Sequence, residues 1–123
     1  MVRSESFHGE VPAREALQSG PWLVEKGAPV TGLNALRLAR RTVVATDGKD
    51  HWAIITTGPV TLAETASILL VKNLPGAWTI RQALNLDGGS STSLVALSGT
   101  QAVVDIPSFG PVRNYLAIVP RGR

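Results

Sequence analysis

The sequence predicts a single α+β domain: a mostly antiparallel or mixed sheet built from hairpins, with one main helix packed on it. Three observations carry this. Short runs rich in β-branched and aromatic residues recur between turn dipeptides. One segment alone shows helical spacing behind a capping signal. No repeat of about 20 to 50 residues recurs, which excludes a solenoid or propeller. At 123 residues the chain holds one core, so the reading is an N-terminal arm over residues 1–17 and one domain over residues 18–120.

The elements follow in order. The arm is polar and lacks sustained periodicity, with a short helical turn expected around Ala13 to Leu17. Gln18-Ser19-Gly20-Pro21 is turn chemistry, and Trp22, Leu23 and Val24 then form a short strand ending at Lys26-Gly27. Ala28 to Leu36, with its Gly, Pro and Asn, reads as a surface loop. Leu38–Thr46 and His51–Thr57 are strands, joined through Asp47-Gly48 as a two-residue hairpin. A helix starts at Thr61: Thr61 can cap the third amide while Glu64 reaches back, and Leu62, Ala66, Leu69 and Leu70 share one face. Asn73 and Pro75 end it. A short apolar strand then runs into Asp87. Ser93–Leu97 and Gln101–Ile106 form a second hairpin around Ser98-Gly99, and Tyr115–Val119 supplies a last strand.

Composition narrows the function classes. Twelve basic and nine acidic residues leave a net charge of +3, the only dense cluster is Arg37, Arg40 and Arg41, and aromatics are 5%. That pattern argues against nucleic acid as a partner. There is no Cys, which excludes disulfides and thiolate metal sites, and two His are too few for a His-built metal centre. No apolar run reaches the ~18 residues of a membrane span, and the opening residues are charged where a signal peptide is apolar. The sequence as it stands therefore reads as cytoplasmic, and as periplasmic or secreted if a signal precedes it.

The segment most informative about chemistry is Ala83-Leu84-Asn85-Leu86-Asp87-Gly88-Gly89-Ser90-Ser91-Thr92. Here a buried run is interrupted by a carboxylate, two glycines and three hydroxyls. Glycines allow successive amides to point into one anion-binding concavity, to which the hydroxyls add donors. The competing reading is a structural Asp-Gly-Gly turn whose hydroxyls satisfy their own backbone. Arg40-Arg41-Thr42 opens a strand, where a guanidinium fork can grip phosphate or carboxylate oxygens or simply be solvated. His8 and His51 read as surface residues, and Trp22, Trp52 and Trp78 as core or rim.

Taken in order, Gln18-Ser19-Gly20-Pro21 with Leu23-Val24 and Gly27, Ala39-Arg40-Arg41-Thr42, the capped Leu-Ala-Glu helix, Asn85-Leu86-Asp87-Gly88-Gly89-Ser90-Ser91, and Val112-Arg113-Asn114-Tyr115-Leu116 resemble the phosphodiester glycosidase family. The resemblance spans about residues 16 to 120. An animal member removes N-acetylglucosamine from a phosphodiester on mannose-6-phosphate, and bacterial relatives are labelled exopolysaccharide biosynthesis proteins. The resemblance implies hydrolysis of a sugar-1-phosphodiester, with a phosphorylated sugar or glycan as substrate and no cofactor. It implies Asp87 and Arg41 as catalytic residues. Gln18, Ser19, Gly20, Thr42, Gly88, Gly89, Ser90, Ser91 and Asn114 become candidate substrate-binding residues.

Glycosidases ordinarily use two carboxylic groups, whereas only Asp87 lies in a motif. A phosphodiester relaxes that need, because the departing phosphate monoester is a stable anion with a second pKa near ~6. Asp87 is expected to face the sugar or water rather than the phosphate, since like charges ~4 Å apart at an effective dielectric of ~20 repel by about 4 kcal/mol. The phosphate then falls to Arg41, the Gly88 and Gly89 amides and Ser90. A divalent cation at Asp87 is the minor alternative, with no second ligand visible in the spacing. The alternative of another class is a non-catalytic phosphosugar- or glycan-binding module, or a truncated scaffold. Family members carry a further Asn-Gly- and Phe-rich motif upstream of the Gln-Ser-Gly-Pro element, where this sequence has Phe7-His8-Gly9. A shortened or fragmentary domain is expected to leave a sheet edge or apolar groove open, and hence to form a homo-oligomer or show an exposed apolar edge.

Overall fold

A computed structural model describes Met1 and residues 15–71 and 78–120. Its main body is a five-stranded sheet in the order β2-β1-β5-β3-β4, every neighbouring pair antiparallel. The strands are β1 Trp22–Glu25, β2 Ala28–Pro29, β3 Ala39–Thr46, β4 Trp52–Val60 and β5 Gln82–Asn85. Helix α1, Leu62–Leu69, packs on one face. A separate two-stranded sheet pairs β6, Leu94–Ser98, with β7, Gln101–Ile106. The α+β architecture with a capped helix is therefore as the sequence predicts.

β3 is the centre of the packing. From Arg41 to Thr46 every residue is buried, so the strand is covered on both faces. Val43 and Ala45 join Leu23, Val24, Ala66, Leu69, Ile80 and Ala83 in the core, with Leu62, Leu70 and Trp78 packed around it. Consecutive Leu23 and Val24 are both fully buried because the β1–β5 register slips between Trp22 and Val24. Such a bulge lets neighbouring side chains escape strict alternation. The capping box of α1 is complete: Glu64 N donates to Thr61 Oγ1 (3.1 Å) while Thr61 N and Oγ1 donate to Glu64 Oε2 (2.8 and 2.9 Å). These bonds hold the Glu64 carboxyl below the usual carboxylate range.

Four details differ from the sequence-based expectations. Ala28–Leu36 is not wholly loop, because Lys26 (φ +51°) and Gly27 (φ +79°) form a tight turn that brings Ala28–Pro29 back against β1. The connection at Asp47-Gly48 has five residues, Asp47 to His51, since Thr46 pairs with Trp52. Asp47 organises it, accepting from Lys49 N (2.8 Å) and His51 N (3.2 Å) and pairing with His51 Nδ1 (2.7 Å). β4 runs on past Gly58-Pro59, which sit opposite Arg40 as a bulge between the Ala39↔Val60 and Arg41↔Thr57 pairs. Proline is tolerated there because the bulge needs no ladder donor. Tyr115–Val119 is not a strand. Its apolar side chains are largely exposed, and Leu116 to Val119 border a cleft whose other side is Val44, Trp52 and Ile54, so the segment runs beside the sheet without pairing in it.

Glu15–Leu17 have no regular structure, and the remainder of the helical turn expected there, like Asn73 and Pro75, lies outside the described residues. Val95, Leu97 and Val103 on the β6–β7 hairpin are exposed apolar side chains, each about 60% accessible (59%, 63% and 61%).

Candidate functional site

The sequence motifs meet at the end of the sheet where β3 begins and β5 ends. Leu86 N donates to Thr42 O (2.8 Å), carrying the β5–β3 ladder one residue beyond β5. On the other side Asn85 N donates to Pro21 O (3.0 Å) and Ser19 Oγ to Asn85 O (2.9 Å). The Asn85 amide donates through Nδ2 to Gly20 O (3.1 Å) and Leu86 O (2.7 Å). The Gln-Ser-Gly-Pro turn is thus laced to the strand that delivers Asp87, although 65 residues separate Gly20 from Asn85.

Past Leu86 the chain turns sharply. Gly88 is extended (φ −134°, ψ −162°), and a Cβ there would lie 2.9 Å from Arg40 O and 3.8 Å from the Arg41 Cα. Only a residue without a side chain lets the turn press onto the β3 backbone. Gly89 (φ +64°) opens a 3-10 turn, Gly89–Ser91, closed by Ser91 N to Gly88 O (3.2 Å) and Thr92 N to Gly89 O (3.3 Å). Gly88 N is taken by the carboxylate of Asp87 (2.9 Å). The next two amides, of Gly89 and Ser90, bond to none of the described residues, and the Asp87 and Ser90 side chains are exposed.

The two arginines do different work. Arg41 is buried, with Nε donating to Val60 O (3.1 Å) and Nη2 to Arg37 O (2.8 Å). It spans the Gly58-Pro59 bulge, supplying hydrogen bonds where the ladder is interrupted. Burial first, and the Arg37 charge second, lower its pKa from the usual guanidinium value. Nη1 bonds to none of the described residues. Arg40 donates both Nη atoms to Pro107 O (3.3 Å each) and lies 4.5 Å over the Phe109 ring. Phe109 N in turn donates to Ser90 O (2.8 Å), so the segment after β7 is clamped onto the 3-10 turn.

Asp87, Gly88, Gly89, Ser90 and Ser91 therefore lie on one turn seated against the backbone of Arg40 and Arg41, with Thr42 O held by Leu86 N just before it and Ser19 and Gly20 tied to the same strand end. Gln18 and Asn114 are exposed and make no hydrogen bond to a described residue. Sequence reasoning passed over Arg40 as a clamp, Phe109 beneath it, and two buried polar atoms without partners among the described residues, Asn85 Oδ1 and Thr92 Oγ1. An amide within the apolar run Ala83–Leu86 was the available signal for Asn85. Among the described residues no three His, Asp or Glu gather as metal ligands.

The fold is an α+β domain in which the Asp87 turn, with two amides unpartnered among the described residues, sits beside the Arg41 backbone at one sheet end. The sequence matches the phosphodiester glycosidase family over residues 2–119, and the chain belongs to that family. Neither the curated proteins nor the solved structures yield a match.

Proposed function

We propose that the chain hydrolyses a sugar-1-phosphodiester at the Asp87 turn. Family membership supports the reaction class. The single structural observation carrying the site is the seating of Gly88 against Arg40 O and the Arg41 Cα, which brings the Asp87 turn to the arginine strand.

In this reading a water attacks the anomeric carbon and gives its proton to the Asp87 carboxylate. The anomeric C–O bond breaks, and its electron pair leaves on the phosphate monoester. That anion needs no protonation to depart, so one carboxylate suffices. The developing charge falls to the Gly89 and Ser90 amides and to Arg41 Nη1, donors left over once Gly88 N serves Asp87 itself. Arg41→Lys removes the fork that grips both carbonyls and phosphate. A cell-envelope glycan or exopolysaccharide as the source of the substrate rests on the resemblance to bacterial relatives.

The experiment is turnover of an N-acetylglucosamine-1-phosphodiester in ¹⁸O water, followed by ³¹P NMR and mass spectrometry. The expected result is label on the sugar, an unlabelled phosphate monoester, and loss of turnover with retained binding in Asp87→Asn. Label on phosphate would assign the chemistry to phosphorus. Binding without turnover in the wild-type chain would leave a phosphosugar-binding module.

A further inference from the structure

At the other end of β3 from the Asp87 turn lies a cavity of about 660 Å³, lined by Lys26, Asp47, Gly48, Lys49, Thr79, Arg81 and Gln82. We infer that this cavity is a second anion site, independent of the Asp87 turn, that takes the phosphate group of a small phosphorylated sugar.

The charge arrangement points there first. Three cations come from three separate segments: Lys26 from the β1–β2 turn, Lys49 from the β3–β4 loop, and Arg81 from the residue before β5. Among the described residues none of them has an ion-pair partner. The lining carboxylate, Asp47, is already engaged. One of its oxygens accepts the Lys49 and His51 amides and the other meets His51 Nδ1, so both oxygens are engaged within its own loop. Three cations against one lining carboxylate leave the concavity net positive, which favours an anion there.

The cations are also held in place by backbone. Gly27 N donates to Arg81 O (3.0 Å) and Arg81 N to Thr46 O (2.9 Å), so the turn, the strand entry and the end of β3 are stitched together. Gly48 N is fixed on Thr46 Oγ1 (3.0 Å). Lys26 adopts φ +51°, a conformation side chains rarely take, and a Cβ on Gly27 would meet the Arg81 Cδ at 3.7 Å, so the Arg81 stem lies along the turn. A guanidinium fork flanked by two ammonium groups suits the three terminal oxygens of a phosphate monoester better than a single carboxylate. The volume falls within the usual range for small-ligand pockets and exceeds what inorganic phosphate fills. Thr79 and Gln82 supply the neutral hydrogen-bonding groups that a sugar's hydroxyls need.

The test is an amide NMR titration of the whole chain with glucose 1-phosphate, inorganic phosphate and glucose, at ionic strength held constant with sodium chloride. Saturable shifts at Gly27, Gly48 and Lys49 are expected with both phosphates and not with glucose, glucose 1-phosphate binding the tighter. The triple variant Lys26→Gln, Lys49→Gln, Arg81→Gln should weaken binding at least tenfold, and single Lys49→Gln by a smaller, measurable factor. Asp87→Asn should leave these shifts unchanged even if it abolishes hydrolysis, which separates this site from the first. Shifts confined to Gly89 and Ser90, a linear response matched by added chloride, or equal affinity in the wild type and Lys49→Gln would each overturn the assignment.

Discussion

Replacing Gly88 by alanine tests the seating of the Asp87 turn directly. Gly88 is extended rather than left-handed, so alanine meets no backbone penalty, and on conformational grounds alone it should stabilise by ~0.4–1 kcal/mol through the unfolded chain. Its Cβ, however, arrives 2.9 Å from Arg40 O, about 0.4 Å inside the ~3.3 Å at which carbon and carbonyl oxygen ordinarily meet. The obstructing atom belongs to strand backbone, which cannot swing aside as a flexible side chain can. Overpacking of this kind costs ~1–3 kcal/mol, so the net expectation is a loss of about 1–2 kcal/mol. For a chain of this length that lowers Tm by roughly 3–10 °C. The control is Gly58→Ala, where a Cβ meets nothing within 4 Å and the same conformational gain should leave the melting temperature at or slightly above the wild type. Differential scanning calorimetry on both variants reads the stability. Sugar-phosphodiester turnover should fall at least roughly tenfold in Gly88→Ala alone, since a displaced Asp87 no longer lines up with the arginine strand. A Gly88→Ala protein that melts at or above the wild type would refute the close approach and the site built on it.

Further outcomes follow from the same contacts. Arg41→Lys should cost about 2 kcal/mol in chemical denaturation, because an ammonium cannot keep both the Val60 and Arg37 carbonyls; equal stability would mean the guanidinium does not bridge the bulge. Thr61→Ala should cost ~1 kcal/mol by removing the cap of α1, read as a shift in urea midpoint at constant slope. Asp47 should titrate at about 2, below its usual 3.8, chiefly through the His51 side chain and then the Lys49 amide. Its contribution to stability is thus fully present above about pH 4 and lost as pH falls through 2; His51→Ala should move the carboxyl resonance titration upward, and an unmoved curve would contradict the pairing.

Much of this was legible in the sequence because the deciding signals are local. Thr61 and Glu64 sit three residues apart, and their capping box forms wherever a helix can start. The β-branched run Thr42, Val43 and Val44 marks β3, and Asp87-Gly88-Gly89 announces a turn. Where prediction failed, the deciding partner was distant. Gly58-Pro59 looks like a strand end until Arg41 supplies the hydrogen bonds that carry β4 over the bulge. Asp47-Gly48 reads as a two-residue turn until the reach of Asp47 to His51 sets a longer loop. Tyr115–Val119 has a strand's composition, but it borders a cleft beside the sheet and pairs with no strand among the described residues. Arg40 could not be told from Arg41 by spacing, because its partner Phe109 lies nearly seventy residues downstream.

The strand order also sets a timetable for synthesis. β1 and β3 never touch as partners, because the place between them belongs to β5, made some forty residues after β3 ends. At translation rates of ~5–20 residues per second, the β3–β4 hairpin, complete only at Val60, waits roughly 1–5 s for Asn85 with one edge vacant, although a hairpin zips in microseconds. The nascent chain therefore carries an open slot until Asn85 arrives. Asp87 is the second residue beyond that last inserted strand, so the turn proposed to carry the chemistry is synthesised only after the strand that completes the sheet.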